Sequence, residues 1–204
     1  MNNVVILANG SFPKHEKALS VLANAQNIIC CDGAIKDLDE IGIEPKIIIG
    51  DLDSISKKLQ NKYKQKLIHI DNQDENDLRK AINWLENNGA AKAIILGGTG
   101  KREDHTLGNI FSLLQFPTTI ELSMITNSGF FSIINKSMKL TTNKRQQISL
   151  FSIDNKIKIT TKGLKYNLKD ESLFSLYQGT LNETISDFIS IKISHGSILI
   201  YQVF

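Results

Sequence analysis

The chain has 204 residues, of which 41% are hydrophobic and 22% charged, with a formal net charge of +3, an ordinary balance for one large domain or two small ones around a buried core. No run of Lys and Arg interleaved with aromatics offers a nucleic-acid surface, and no apolar stretch approaches the roughly 20 residues of a membrane helix. Cys30 and Cys31, the only cysteines, are adjacent, which suits neither a disulfide framework nor a zinc site and reads as two buried thiols.

In chain order, residues 4–7 predict a buried strand rather than a signal peptide, because the preceding residues carry no charged side chain. The chain therefore reads as cytoplasmic. Ala18, Leu19, Val21, Leu22 and Ala25 then recur at helical spacing,. Strands are expected at 28–31, 46–49, 67–70, 93–96 and 121–125. Leu78, Ala81, Ile82 and Leu85 mark a second helix. A third should follow Asp104, turn Leu107, Ile110, Phe111 and Leu114 inward, and end at Pro117. Strand–helix alternation of this kind implies a mostly parallel α/β sheet.

The pattern changes near Asn127-Ser128-Gly129. From there β-prone segments at 130–135, 147–153, 156–161, 173–176, 185–193 and 197–203 alternate with turn residues, and no helical pattern remains. Asp154-Asn155 and His195-Gly196 read as hairpin turns. The expected organisation is an α/β domain over 1–127 followed by a small antiparallel β domain over 128–204.

Polar residues placed directly after parallel strands should converge, because ligands collect at the carboxyl ends of such strands. Gly10, in Ala8-Asn9-Gly10-Ser11, permits close backbone approach to a ligand, although Asn-Gly is also a turn dipeptide. In Cys31-Asp32-Gly33-Ala34, Asp32 either caps the next helix or binds a sugar hydroxyl, and Gly33 leaves room for a nucleotide. Gly50-Asp51-Leu52-Asp53-Ser54 sets two carboxylates two residues apart on a turn, a pattern suited to Mg²⁺. Asp77, at the start of the second helix, is either a third metal-facing carboxylate or a charge stabilised by the helix dipole, with Asp74 as a capping residue. Gly97-Gly98-Thr99-Gly100-Lys101-Arg102-Glu103-Asp104-His105 is a glycine-rich loop entering a helix. It can offer backbone N–H groups to phosphate, with Arg102 as a bidentate grip. It lacks the Gly-Lys-Ser/Thr ending of a Walker loop. His105 is either a ligand contact or an ordinary first-turn residue.

Taken in order, Cys31-Asp32-Gly33-Ala34, Gly50-Asp51-Leu52-Asp53-Ser54, Asn76-Asp77-Leu78 and the Gly97–His105 loop resemble the motif series of thiamine pyrophosphokinases. Gly163-Leu164-Lys165-Tyr166 and Gly179-Thr180-Leu181-Asn182-Glu183 resemble that family's β-domain signatures. The resemblance implies a Rossmann-like α/β catalytic domain, a C-terminal antiparallel β-sandwich, and a homodimer with thiamine at the subunit interface. It implies catalytic roles for Asp51, Asp53, Asp77, Arg102 and Asp104, with Asp51, Asp53 and Asp77 holding Mg²⁺. Gly10, Asp32, Gly33, Gly98, Arg102 and His105 would face ATP, and Asp104, Thr180 and Asn182 would face thiamine. Asn76 stands where the family often has Thr, and Leu181 where it often has Ser. The implied reaction moves the diphosphate of ATP onto the hydroxyl of thiamine. A metal-dependent phosphoesterase and a non-catalytic nucleotide-binding regulator are the competing readings. Neither nucleic acid nor membrane is an expected partner.

Overall fold

Runs of β-branched and aliphatic residues become strands in the computed structural model, which describes residues 3–115 and 118–204. The chain divides into two compact units, Met1–Asn127 and Ser128–Phe204.

In the first unit six strands pair in parallel: β1 (Val4–Leu7), β2 (Asn27–Cys31), β3 (Ile47–Gly50), β4 (Leu67–His69), β5 (Lys92–Leu96) and β6 (Glu121–Ile125). Their spatial order is β6-β5-β1-β2-β3-β4. The chain steps outward from β1 to β4, then returns to the other side of β1 with β5. The crevice at the carboxyl ends of β1 and β5 is thus the topological switch point, where α/β sheets bind ligands.

Helices α1 (Glu16–Ala23), α2 (Ile35–Glu40), α3 (Lys57–Lys62), α4 (Asp77–Asn87) and α5 (Glu103–Gln115) connect the strands. Sequence periodicity indicates α1, α4 and α5 but not the short α2 and α3, which are too brief to show a repeat. Ala18, Leu22, Ile35 and Leu38 pack with Val5, Leu7, Cys30 and Ile48 in one core cluster. Successive strand residues point to opposite faces. Cys30 therefore joins this cluster while Cys31 does not, and both thiols are free and buried.

The inward face expected of α5 is displaced. Leu113 is its buried residue, whereas Leu107 is 55% exposed, and Ile110, Phe111 and Leu114 are half-buried. Apolar residues spread around much of this helix, so periodicity admits more than one face and packing selects among them. The expected stop at Pro117 lies outside the described residues.

The second unit is a β-sandwich. One antiparallel sheet has the order β11 (Asn182–Glu183), β9 (Gln147–Phe151), β13 (Ile198–Val203) and β7 (Gly129–Ile134). The other is β10 (Ile159–Lys162), β12 (Phe188–Ile193) and β8 (Met138–Thr141). Ile134, Ile148, Leu150, Ile198 and Ile200 of the first meet Ile159, Ile189, Ile191 and Ile193 of the second in a shared core. Each set recurs at every second position, the spacing that buries one face of a strand.

Two expected hairpins are corrected here. Asp154-Asn155 lies between β9 and β10, and His195-Gly196 between β12 and β13, so each joins strands of different sheets. The turn chemistry is right, but the partners differ: β13 pairs with β7 and β9, and β12 with β8 and β10. The two corners are neighbours, with His195 Nε2 3.5 Å from Asp154 Oδ2. The segment 173–176 forms no strand.

Candidate active site

Four segments that follow β1, β2, β3 and β5, together with the start of α4, line one cleft of about 590 Å³ in the first unit. That volume suits a small-molecule ligand. A second groove of equal volume beside Val4, Val21, Ala25 and Ile94 has Lys92 as its only charged lining residue among the described residues, and it gathers no comparable chemistry.

The acidic wall begins where β3 ends. Gly50 has φ +155°, and a Cβ there would stand 2.8 Å from Asp32 Cβ and 3.1 Å from Asp77 Cγ. Only glycine lets the backbone pass between these two acids. Leu52 then takes a left-handed φ of +65°, a costly conformation for a branched side chain. Gln60 steadies the turn, donating from Nε2 to the carbonyls of Leu52 (2.9 Å) and Ile55 (3.0 Å). Within it the Asp53 N–H donates to Asp51 Oδ1 at 3.3 Å, and Ser54 Oγ donates to Asp53 Oδ1 at 3.0 Å.

Asp32 is 3% exposed. It is not a helix cap: its Oδ2 accepts the Ser54 N–H at 3.3 Å, and its Oδ1 has no hydrogen-bond partner among the described residues. One ligand oxygen from each of Asp32, Asp51 and Asp53 lies within 4.8 Å of the others, so that among the described residues Asp32 takes the place in this cluster that the sequence reading gave to Asp77. Burial, then the neighbouring carboxylates, raise the Asp32 pKa to about 6 against the pull of the Ser54 N–H. Asp77 is also raised, by burial first, while the Lys80 ammonium holds it down. Asp51 is lowered, chiefly by the Asp53 N–H. An all-oxygen donor set with one buried, unsatisfied oxygen fits a hard divalent cation.

Asp77 opens α4, but Asn76, not Asp74, is its cap, with Oδ1 accepting the Arg79 N–H at 2.9 Å. The opposite wall is the glycine-rich loop. Gly10 N–H donates to the Gly97 carbonyl at 2.7 Å, and Ser11 N–H to the Thr99 carbonyl at 2.7 Å. A Cβ on Gly10 would strike both carbonyls at 2.4 Å, so glycine is what lets the two loops lie together. Gly33 packs beneath Asn9, and Gly98 against Met124. Arg102 grips Asp104 through Nε–Oδ1 (3.1 Å) and Nη2–Oδ2 (2.5 Å). This contact, with the His105 N–H, holds the Asp104 pKa at about 2. Arg102 and His105 line the cleft, and both are exposed.

Thr180 and Asn182 lie in the second unit. Thr180 Oγ1 donates to the Tyr177 carbonyl at 2.6 Å. Asn182 Nδ2 donates to the Tyr166 carbonyl at 2.7 Å, and its Oδ1 accepts N–H groups of Tyr166 and Glu183. Between them Leu181 has φ +59° and is 85% exposed.

Two cleft residues escape the sequence. Asn109 is one, since nothing in its local pattern marks it. Lys80 is the other: it lies off the apolar stripe of α4, so periodicity places it in solvent.

The model for the thiamin pyrophosphokinase catalytic domain matches residues 18–124, and that for the thiamin pyrophosphokinase substrate-binding domain matches 129–201. Thiamin pyrophosphokinase 1 of Caenorhabditis elegans is 27% identical over 205 residues, covering 92% of this chain and 82% of its own. The crystal structure of thiamine pyrophosphokinase from Bacillus subtilis matches with a TM-score of 0.80 at 22% identity, covering 98% of both chains. Thiamin pyrophosphokinase from Candida albicans matches with a TM-score of 0.81 at 19% identity, covering 99% of this chain and 90% of that one.

Proposed function

The chain belongs to the thiamin pyrophosphokinase family, and from that premise we propose that its acidic cleft passes the diphosphate of ATP to the hydroxyl of thiamine. The observation that carries this assignment of the site is the convergence of four strand-end segments on one cleft, with carboxylates on one wall and a glycine-rich loop with Arg102 on the other. The thiamine hydroxyl oxygen bonds to the β-phosphorus as the bond from that phosphorus to the bridging α-phosphate oxygen breaks and the hydroxyl proton is released to solvent, giving AMP and thiamine diphosphate.

Asp51, Asp53 and Asp77 would hold Mg²⁺ in this reading, and Asp32, whose ligand oxygen clusters with those of Asp51 and Asp53, is a further candidate. When bound, Mg²⁺ offsets phosphate charge. The rest is positioning. Gly10, Gly33 and Gly98 keep the loops close, so that backbone rather than side chains meets ATP. Arg102 faces the phosphates with its guanidinium oriented by Asp104. A carboxyl held near pKa 2 is a poor proton acceptor at neutral pH, so Asp104 serves to aim Arg102 and to shape the thiamine pocket rather than as a base. His105 contributes its place at the start of α5, beside the nucleotide.

Thr180 and Asn182 bear on thiamine by fixing the loops of Tyr177 and Tyr166, residues that are 79% and 64% exposed. Phe174, Leu176 and Leu181 are exposed on the same unit. Exposed apolar side chains in such number suit an interface, so a homodimer with thiamine at the subunit boundary belongs to this reading. So does a cytoplasmic setting, which two free buried thiols suit,. No helix among the described residues is long and apolar enough to cross a membrane.

Incubating the protein with Mg²⁺, ATP and thiamine should yield AMP and thiamine diphosphate in equal amounts, with neither formed when thiamine is omitted. Release of ADP, or of AMP without thiamine, would refute the assignment.

A further inference from the structure

Lys80 carries an ammonium yet is 3% exposed, as buried as its apolar neighbours Leu78 and Ile82 on α4. A cation withdrawn from water is strongly disfavoured unless paired. Its ion pair runs to Asp77 Oδ1, at 3.3 Å, one turn earlier on the same helix. Lys80 also lines the cleft with Asp32, Asp51 and Asp53, and its charge reaches Asp51 as well as Asp77. The cleft thus gathers the carboxyl groups of Asp32, Asp51, Asp53, Glu75 and Asp77, and Lys80 is the buried cation set among them.

We propose that Lys80 is a built-in counter-ion of the acidic wall: a positioning residue that anchors Asp77 and offsets repulsion among the carboxylates before a divalent cation enters. Lys80 and the cation then compensate the same negative charge. They are therefore antagonists, with Lys80 stabilising the empty cleft and weakening metal binding. This rests on the metal-binding reading of the cleft given above.

The test is thermal unfolding of wild type, Lys80→Met and Lys80→Arg in EDTA and across a MgCl2 titration at constant ionic strength. Lys80→Met should lose more Tm in EDTA than in MgCl2. Its Mg²⁺ dissociation constant, obtained from the dependence of Tm on Mg²⁺, should fall about threefold or more, as loss of a nearby like charge demands. Lys80→Arg, which keeps the charge, should respond to Mg²⁺ as wild type does. Lys80→Gln keeps a donor for Asp77 but no charge, should repeat the Met result, and serves if the Met variant does not fold. An equal Tm loss with and without Mg²⁺, a weaker Mg²⁺ response in the uncharged variants, or an enlarged response in Lys80→Arg would overturn the proposal alone. A wild type indifferent to Mg²⁺ would overturn both the proposal and the metal reading beneath it.

Discussion

Asn76 Nδ2 donates to Asn109 Oδ1 at 3.1 Å, and Asn109 Nδ2 donates in turn to the Gly98 carbonyl at 2.9 Å. The amide that caps α4 is thereby tied, through α5, to the glycine-rich loop. One residue ahead of Asp77, it links the acidic wall of the cleft to the wall expected to face phosphate. The threonine that the family often has at position 76 would have to cap α4 and donate to Asn109 from a single hydroxyl oxygen, where the asparagine uses two separate atoms.

Asn109→Ala should therefore raise KM for ATP and lower kcat, together about tenfold in kcat/KM, with a smaller change in Tm. Asn76→Thr should cost less, because the cap survives. Steady-state kinetics on both single variants and the double variant decides the matter. Coupled sites give a double-mutant loss smaller than the product of the single losses, whereas strict multiplicativity would mean that the two amides act separately.

Asp51→Asn should reduce turnover on the order of a thousandfold while leaving the unfolding transition intact. The side chain is only half-buried and its neighbours are polar, so its loss leaves no core cavity. Turnover within a few-fold of wild type would remove Asp51 from the proposed metal set.

Arg102→Lys should lose about a hundredfold in kcat/KM, since an ammonium cannot reproduce the forked contact with Asp104 or with phosphate oxygens. Asp104→Asn should lose less and mainly through KM, as expected of a residue that aims its partner. Because Asp104 is held near 2 by Arg102, its contribution should be constant from about pH 4 upward. A limb in the wild-type pH–rate profile that vanishes only in Asp104→Asn would contradict this.

Asp32 makes the metal-free protein pH-sensitive in a defined sense. Its folded pKa of about 6 exceeds the ordinary value near 4 for an unfolded Asp. The folded state therefore holds the proton more tightly, a stabilisation present in full below about pH 4 and lost as pH rises through 6. Metal-free Tm should accordingly fall between about pH 4 and 6 and level off above that, and Asp32→Asn should flatten that fall and exceed wild type at pH 7.5. A Tm for Asp32→Asn below wild type at pH 7.5 would show that the buried carboxylate is not a liability.

Leu181, with φ +59° and 85% of its surface exposed, occupies a conformation that costs a non-glycine residue roughly 1–2 kcal/mol. Asn tolerates that region, so Leu181→Asn should stabilise the chain by about 1 kcal/mol in urea unfolding. A loss of stability would mean that the leucine is held by packing that its exposure conceals.

Elements whose pattern is local were legible in the residues alone. Strands at 4–7 and 121–125 agree with β1 and β6, because short aliphatic runs bounded by polar residues need no distant partner to be recognised. The convergence of Asp32, Asp51, Asp77 and the glycine-rich loop on one cleft was legible for a topological reason: alternating strands and helices bring the carboxyl ends of parallel strands to one edge of a sheet. Pairing partners, helix faces and burial were not legible in this way. Asp154-Asn155 and His195-Gly196 are turns in either reading, but only the packing of two sheets makes them corners rather than hairpins. In α5 the apolar residues allow several faces, and the neighbours chose Leu113. Lys80 shows the difference most clearly. Along the chain, a lysine stands three residues after Asp77 and away from the apolar stripe, which reads as a solvated charge. Only the tertiary structure, by bringing Asp32 and Asp51 from two other strand ends toward α4, decided that this charge is buried, because the free energy of an ion depends on what surrounds it in space rather than along the chain.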